Sequence, residues 1–449
     1  FVGAGLVNAA CALLVLWAVR RRAGPRCALW AAACLGLLGL ALATTGPGLE
    51  FLEQPLGALV SPWNPYVVIL PLVLCTVLCA AGATGSTLSL VGALLVGSVV
   101  VQSDVSTAPL VVVLVAVSGA IAAARALRRR RSPGAATGPA PTATVVGAVL
   151  GVALLVVLWL PPLVQEVTGS PGNLTLLARF FTARHPTQAL RTGLWSVLAV
   201  DGALVRGQRA LPFVLGRAPA GAGIVLVATL GVGVAAVVVG IRRRSPFAVA
   251  LGAAGLAGLV VGVASATRVV GTVFAYLVLW EVAAPLSSLV GLGVALGSPA
   301  PQGAHRLRGE RRRRGVTAAL VVLVLGLTAA CSVRMATLPA PGHASDPGVV
   351  AAWHDVAGRL RPGRAPVYVN CTGGGVRREQ VFIGLVAVLE LHGYHPRVNA
   401  FWLPVFGPGY LARGRPPTSI VLAPAGPGRP PPAAVGSFEG TDVLISRTP

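Results

Sequence analysis

The sequence contains no lysine and a single methionine, and its 449 residues hold 13 acidic side chains against 36 basic ones. Without lysine there is no phosphate-loop lysine, so a Walker-type nucleotide site is excluded. Charged residues make up only 11% and hydrophobic residues 55% of the chain, with a mean hydropathy of +0.79. A soluble domain carries roughly a quarter charged residues, so a soluble protein is excluded as well. Cysteine is sparse where water would be. Cys11, Cys27, Cys34, Cys75 and Cys79 lie within apolar segments and Cys331 near the end of another, which leaves Cys371 as the one clearly aqueous thiol. With no CxxC and no Cys/His cluster at zinc spacing, structural disulfides and a zinc module drop out, and no metal site is assigned. The chain opens on Phe1 within an apolar run, without a charged leader or cleavage pattern, and is expected to be a fragment lacking its true N-terminus. Arginine without lysine, beside abundant Ala, Gly and Pro, points to a high-GC bacterial gene.

Long apolar runs are what the sequence has in abundance. Crossing the hydrocarbon core takes about 20 apolar residues in a helix, because unsatisfied backbone groups cannot face lipid. This window predicts about ten transmembrane helices, near 1–19, 27–45, 66–82, 84–101, 110–127, 143–160, 221–241, 246–266, 270–297 and 315–335. Short basic loops gather on the cytoplasmic side, which provides a test. Arg20 to Arg22, Arg128 to Arg131, Arg242 to Arg244 and Arg311 to Arg314 all fall on one side when ten spans are counted. One span added or removed between them breaks the agreement. Residue 1 is then expected outside, with an odd number of spans upstream. The net charge of +23 is read as this topology signal. A nucleic-acid partner is not expected, since no segment combines a basic surface with stacking aromatics.

The predicted fold class is a polytopic α-helical membrane protein with a small C-terminal α/β extracytoplasmic domain, multi-pass in a bacterial plasma membrane. Residues 1–335 make the transmembrane domain, with outer loops at 46–65, 102–109 and 161–220, and residues 336–449 make the outer domain. The stretch 128–142 has the composition of a flexible cytoplasmic linker. In the tail, VVAAWHDVAGRL and VRREQVFIGLVAVLELHG have helical spacing, while PVYVNC, SIVLAP and DVLIS read as strands, which implies a small sheet with helix cover.

Polar chemistry concentrates in the outer loops. Glu50, Glu53 and Asn64 stand in the first of them, where carboxylates can act as a general base or hold a divalent cation against a phosphate leaving group; the plainer reading is solvated acids beside a Trp63/Tyr66 interfacial belt. Gln102 and Asp104 stand where the fourth span leaves the membrane, a costly depth for polar groups unless they face a cavity. Gln165, Glu166, Arg179, Arg184 and His185 line the amphipathic start of the long loop, beside Phe180 and Phe181. Arginine's planar fork matches phosphate oxygens, so this stretch suits a lipid phosphate with its tail in the bilayer; simple anchoring to anionic headgroups is the alternative. Glu281 is expected in the middle of the ninth span, with no second carboxylate at its depth, which argues against a pump. In the tail, CTGGGVRRE can place an anion at a helix N-terminus or be a plain glycine turn.

Several of these segments resemble bacterial members of the GT-C glycosyltransferase superfamily, distantly similar to the dolichyl-phosphate-mannose mannosyltransferases. They are WNPYVVILPLVL (Trp63 to Leu74), GSVVVQSD ending at Gln102 to Asp104, WLPPLVQEVTGSPGNLTLLARFF (Trp159 to Phe181) and FIGLVAVLELHGYHPRV (Phe382 to Val398). The resemblance implies an inverting transfer of a sugar from a polyprenyl-phosphate-linked donor to a cell-envelope acceptor on the outer face. It also implies a catalytic Asp or Glu after a first span upstream of Phe1, so the catalytic base is not assigned here. One departure is Asp104, where a histidine would be expected. Expected partners are membrane lipid and the lipid-linked sugar, and no cofactor beyond a divalent cation is implied. Two other readings remain: a transporter or flippase of lipid-linked precursors, and a non-catalytic membrane protein of envelope assembly.

Overall fold

A computed structural model describes residues 2–43, 59–60, 64–131, 142–206, 211–212, 214–298, 306–337, 346–360, 365–373, 375–414, 417–426, 434–438 and 440–447. Two compact units are present, one within residues 1–339 and one within 340–449.

The first unit is helical. In chain order its helices are α1 (Val2–Ala23), α2 (Pro25–Leu42), α3 (Asn64–Val67), α4 (Ile69–Ala83), α5 (Thr87–Ser103), α6 (Ala108–Arg131), α7 (Thr142–Thr168), α8 (Asn173–Thr182), α9 (Leu190–Arg206), α10 (Ala222–Arg242), α11 (Pro246–Thr267), α12 (Ala283–Gly297) and α13 (Arg306–Ala336). Among the described residues, nine helical segments are long and apolar enough to cross a membrane, and α5, at 17 residues, is a shorter apolar helix at the place of the tenth expected span. The protein is a multi-pass helical membrane protein.

Small residues let the helices close on one another, as they do in lipid, where packing rather than hydrophobicity joins helices. A Cβ at Gly291 of α12 would stand 3.0 Å from the Gly252 backbone nitrogen of α11. A Cβ at Gly255 of α11 would overlap the Ser288 hydroxyl of α12. The outer surface of the unit is apolar in turn: α13 buries none of its spanning window and leaves Val322 and Leu325 exposed. Lipid is the solvent for such a face.

The basic clusters share one end of this bundle. Arg26 at the start of α2 donates to the Thr317 hydroxyl of α13 at 3.0 Å, and Gly36 and Gly39 meet Leu327 and Cys331 farther along, so α2 and α13 run in the same direction. Arg243, just past α10, donates to the Ser298 carbonyl after α12, while Gly297 abuts Cys27 at the start of α2. Arg125 of α6 and Arg244 line a common cavity.

Two expectations change. Residues 161–220 are not simply loop: α8 and α9 lie there, and α9 buries Val197, Leu198 and Val200 against its neighbours. The ninth span is shorter than 270–297, because residues 268–278 leave the helix and Leu279–Val282 form a 3-10 turn before α12. Glu281 therefore stands at the start of that span and not at its middle.

The second unit is the expected α/β domain. Its elements are α14 (Pro347–Ala357), β1 (Pro366–Cys371), α15 (Val376–Leu391), β2 (His395–Arg397), α16 (Leu403–Phe406), β3 (Thr418–Pro424), β4 (Ala434–Phe438) and β5 (Thr441–Arg447). The sheet order is β2-β1-β3-β5-β4, with β1 parallel to β2 and β3, and β5 antiparallel to β3 and β4. Alternation places Val367, Val369, Ile420 and Leu422 in the core, where α15 adds Phe382, Leu385 and Leu389 at helical spacing. Asp346 caps α14 by accepting the Gly348 and Val349 N–H groups and pairs with Arg377 at 2.5 Å. The glycine-rich link from β1 to α15 is a turn: Gly373 has φ +77° and Arg378 donates to the Thr372 carbonyl at 3.1 Å.

Candidate functional site

Gln102 and the Gln165–Glu166 pair stand at corresponding ends of two helices that run side by side. Gly147 of α7 meets Leu88 of α5, Gly151 meets Val91, and the Trp159 indole N–H donates to the Ser98 hydroxyl at 3.2 Å. The two helices thus advance together and bring Gln102 and the Gln165–Glu166 pair to the same end of the bundle, away from the arginine clusters. Gln102 is exposed there. Asp104 is engaged in the backbone: its Oδ1 accepts the Ser106 N–H at 3.0 Å and its carbonyl accepts the Thr107 hydroxyl at 2.6 Å.

Gln165 and Glu166 hold the beginning of α8. Gln165 Oε1 accepts the Asn173 N–H at 2.7 Å, and Glu166 Oε2 accepts the N–H groups of Leu174 and Thr175 at 2.7 and 3.1 Å. The other Glu166 oxygen accepts the Thr175 hydroxyl. These are the donors that a helix N-terminus leaves without intrahelical partners, and a negative charge beside them is further favoured by the helix dipole. Glu166 is thereby a positioning residue for α8, accepting from three hydrogen-bonding groups of one short segment.

α8 itself is a helix with no buried residue. Leu177, Phe180 and Phe181 are exposed, and the two phenyl rings meet edge to face at 5.4 Å. The His185 ring stacks on Phe180 at 4.6 Å and its Nε2 lies 2.9 Å from the Phe180 carbonyl. Arg179 and Arg184 are exposed, and their guanidinium groups make no hydrogen bond or ion pair among the described residues. An amphipathic helix with bare aromatic rings and free guanidinium groups has the character of a membrane-interface element. Asn64 is exposed at the start of α3, while Glu50 and Glu53 lie outside the described residues.

A second constellation escapes the sequence reading. Glu281 is completely buried, and among the described residues neither of its carboxylate oxygens has a hydrogen-bond partner. Asp201 of α9, 4% exposed, lies within reach of its charge; Asp201 Oδ2 accepts the Thr229 hydroxyl of α10 at 3.3 Å, and its Oδ1 has no partner among the described residues. The expectation that no second carboxylate stands near Glu281 is corrected by Asp201. The signal was present in LWSVLAVDGALV, a lone acid in an apolar run, which is a site hypothesis wherever the run is enclosed by spans. Among the described residues no three His, Cys, Asp or Glu side chains stand together as metal ligands.

No protein-family profile and no curated protein matches the chain. Among solved structures it is similar to crystal structures of ArnT from Cupriavidus metallidurans. The apo form is 14% identical with a TM-score of 0.47, over 99% of this chain and 83% of that one. The form bound to undecaprenyl phosphate is 14% identical with a TM-score of 0.45, over 98% of this chain and 83% of that one.

Proposed function

We propose that the chain is an integral membrane glycosyltransferase, moving a sugar from a polyprenyl-phosphate donor to a cell-envelope acceptor on the outer face of the membrane. The observation that carries this reading is α8: two unpaired arginines, Arg179 and Arg184, beside the exposed rings of Phe180 and Phe181, on a helix pinned to α7 by Gln165 and Glu166. A donor of this class offers a phosphate to the guanidinium forks while its chain stays in lipid. The resemblance of Trp159 to Phe181 to GT-C enzymes supports the same assignment.

The chemistry asks little of a nucleotide site. The acceptor hydroxyl attacks the anomeric carbon, the bond from that carbon to the phosphate oxygen breaks, and polyprenyl phosphate leaves with the electron pair. A carboxylate takes the hydroxyl proton, and cationic groups steady the leaving phosphate. Glu281 does not meet an acceptor in this arrangement, being fully enclosed, and the base is not assigned.

The Asp201–Glu281 pair favours a second reading, a transporter of lipid-linked precursors, since two buried acids on neighbouring helices suit coupled ion movement. Full-length protein supplied with a polyprenyl-phosphate sugar and envelope acceptor separates the two. Release of free polyprenyl phosphate as sugar appears on the acceptor supports the transferase. Translocation of the donor across proteoliposomes with its sugar–phosphate bond intact supports the transporter and overturns the first reading.

A further inference from the structure

At the arginine-rich end of the bundle, remote from α8, a cavity of about 410 Å³ opens between the ends of α4 and α6 and the turn from α10 to α11. This is within the size of ordinary ligand sites, about 300–1,000 Å³. Its wall is apolar, with Ile121, Ile241, Val249 and Ala253, and its charge comes from Arg125 and Arg244 with no carboxylate in the lining. Neither guanidinium group makes a hydrogen bond or ion pair among the described residues. Two uncompensated positive charges against an apolar wall repel each other and lack the counter-charge that normally accompanies them.

The backbone adds a separate observation. Arg244 has φ +53°, and among the described residues no other non-glycine residue has a positive φ. A left-handed conformation costs a side-chain-bearing residue roughly 1–2 kcal/mol, and glycine adopts it freely. The chain keeps an arginine at the turn where glycine would be cheaper, and that arginine faces the cavity. The Ser245 and Arg244 N–H groups donate to the Gly240 and Ile241 carbonyls at 2.8 and 3.0 Å, so this left-handed residue closes the end of α10 and brings its side chain to the cavity.

We propose that this cavity binds an anionic membrane phospholipid, with the headgroup phosphate between Arg125 and Arg244 and part of an acyl chain along Ile121, Ile241 and Val249. The occupant follows from the position as well as the chemistry. α4 ends at Ala83, α10 ends at Arg242 and α11 begins at Pro246, so the cavity stands where spanning helices end. There a headgroup meets protein and its chain enters the bilayer. Planar guanidinium groups take phosphate oxygens in a bidentate fashion. A free phosphate shares that headgroup chemistry but has no use for the apolar wall.

Native mass spectrometry of the full chain in neutral detergent tests the proposal, with phosphatidylglycerol against phosphatidylcholine of the same chains. The expected result is preferential retention of phosphatidylglycerol. Arg125→Ala and Arg244→Gly should each lower it about tenfold, the loss expected for a hydrogen bond to a charged group. Arg244→Gly relieves the backbone strain, so its thermal unfolding without lipid should equal or exceed that of the parent, which separates lost binding from lost folding. Arg191→Ala, at the start of α9 beside the end of α11 that lies away from the cavity, should leave this retention unchanged. Equal retention of both lipids, or retention undiminished in the Arg125/Arg244 double variant, overturns the proposal. Displacement of the lipid by millimolar inorganic phosphate would assign the site to free phosphate and overturns it too.

Discussion

Gly262 of α11 faces the Glu281 carboxylate so closely that a Cβ at position 262 would overlap it. The close approach is what encloses the acid. Gly262→Ala should therefore overpack the interface and destabilise the helical unit by about 1–3 kcal/mol. Gly231→Ala in α10 is the matched control, since nothing lies within 4 Å of a Cβ there. It should gain up to about 1 kcal/mol from helix propensity. Thermal unfolding in detergent checks both, and equal midpoints for the two variants would contradict the packing described.

Glu281 bears an energetic cost where it stands, because an unsatisfied buried polar group forfeits about 1–3 kcal/mol of hydration. Replacing it by methionine, of similar length and without oxygens, should raise stability by an amount in that range. The same substitution should abolish any activity that requires the Asp201–Glu281 pair. A rise in unfolding temperature with transfer activity intact would confine the pair to a role outside the reaction. A fall in unfolding temperature would show that the carboxyl has partners in the folded protein.

Much of the architecture was legible because lipid imposes a simple rule on sequence. Apolar runs near 20 residues gave the spans, and alternation at Val367/Val369 and Ile420/Leu422 gave the strands. α9 was hidden because Asp201 and Ser196 make its run look like loop, although both are buried by α10 and α11. The depth of Glu281 was misjudged because hydropathy does not register the break at 268–278. β4 was missed because AVGSF puts Gly436, without a side chain, on the face of the buried Phe438, and its pairing with β5 is irregular between Ala434 and Gly436. The roles of Gln165 and Glu166 were illegible for another reason. Their partners lie eight or nine residues ahead, beyond a turn, outside the three-residue spacing by which a capping box is recognised.

That capping arrangement predicts a local effect. Glu166→Ala removes acceptors from the Leu174 and Thr175 N–H groups and the Thr175 hydroxyl. Loss of an N-terminal cap costs about 0.5–2 kcal/mol. Hydrogen exchange should quicken at residues 174–182 and stay unchanged in α10 and α11. Unchanged protection of α8 would contradict the capping role.

In the C-terminal unit, burial pushes the Cys371 thiol up to about 11, an effect that nearby Arg378 partly offsets and Glu379 reinforces. The thiol then stays protonated through neutral pH, and its alkylation rate should climb about tenfold per pH unit from 7 toward 11, without the plateau near pH 8.5 of a free cysteine. Linkage gives the matching sign for stability. Between the unfolded and folded values the unfolded chain ionises while the folded one does not, so this group's contribution is intact below the unfolded value and is lost as pH rises toward 11. Cys371→Ser should flatten that decline. A plateau in alkylation below pH 9 would contradict the burial.

The proposal that α8 receives the lipid phosphate of a sugar donor stands or falls with its two free arginines. In full-length protein, binding of a polyprenyl-phosphate sugar should weaken roughly ten- to a hundredfold in Arg179→Ala and in Arg184→Ala, the loss of about 1.5–3 kcal/mol expected for a hydrogen bond to a charged group. Unfolding temperatures should stay level, because both side chains are exposed and unpaired. Donor affinity equal to the parent's in both variants, with folding intact, would contradict the account and leave α8 as a lipid anchor.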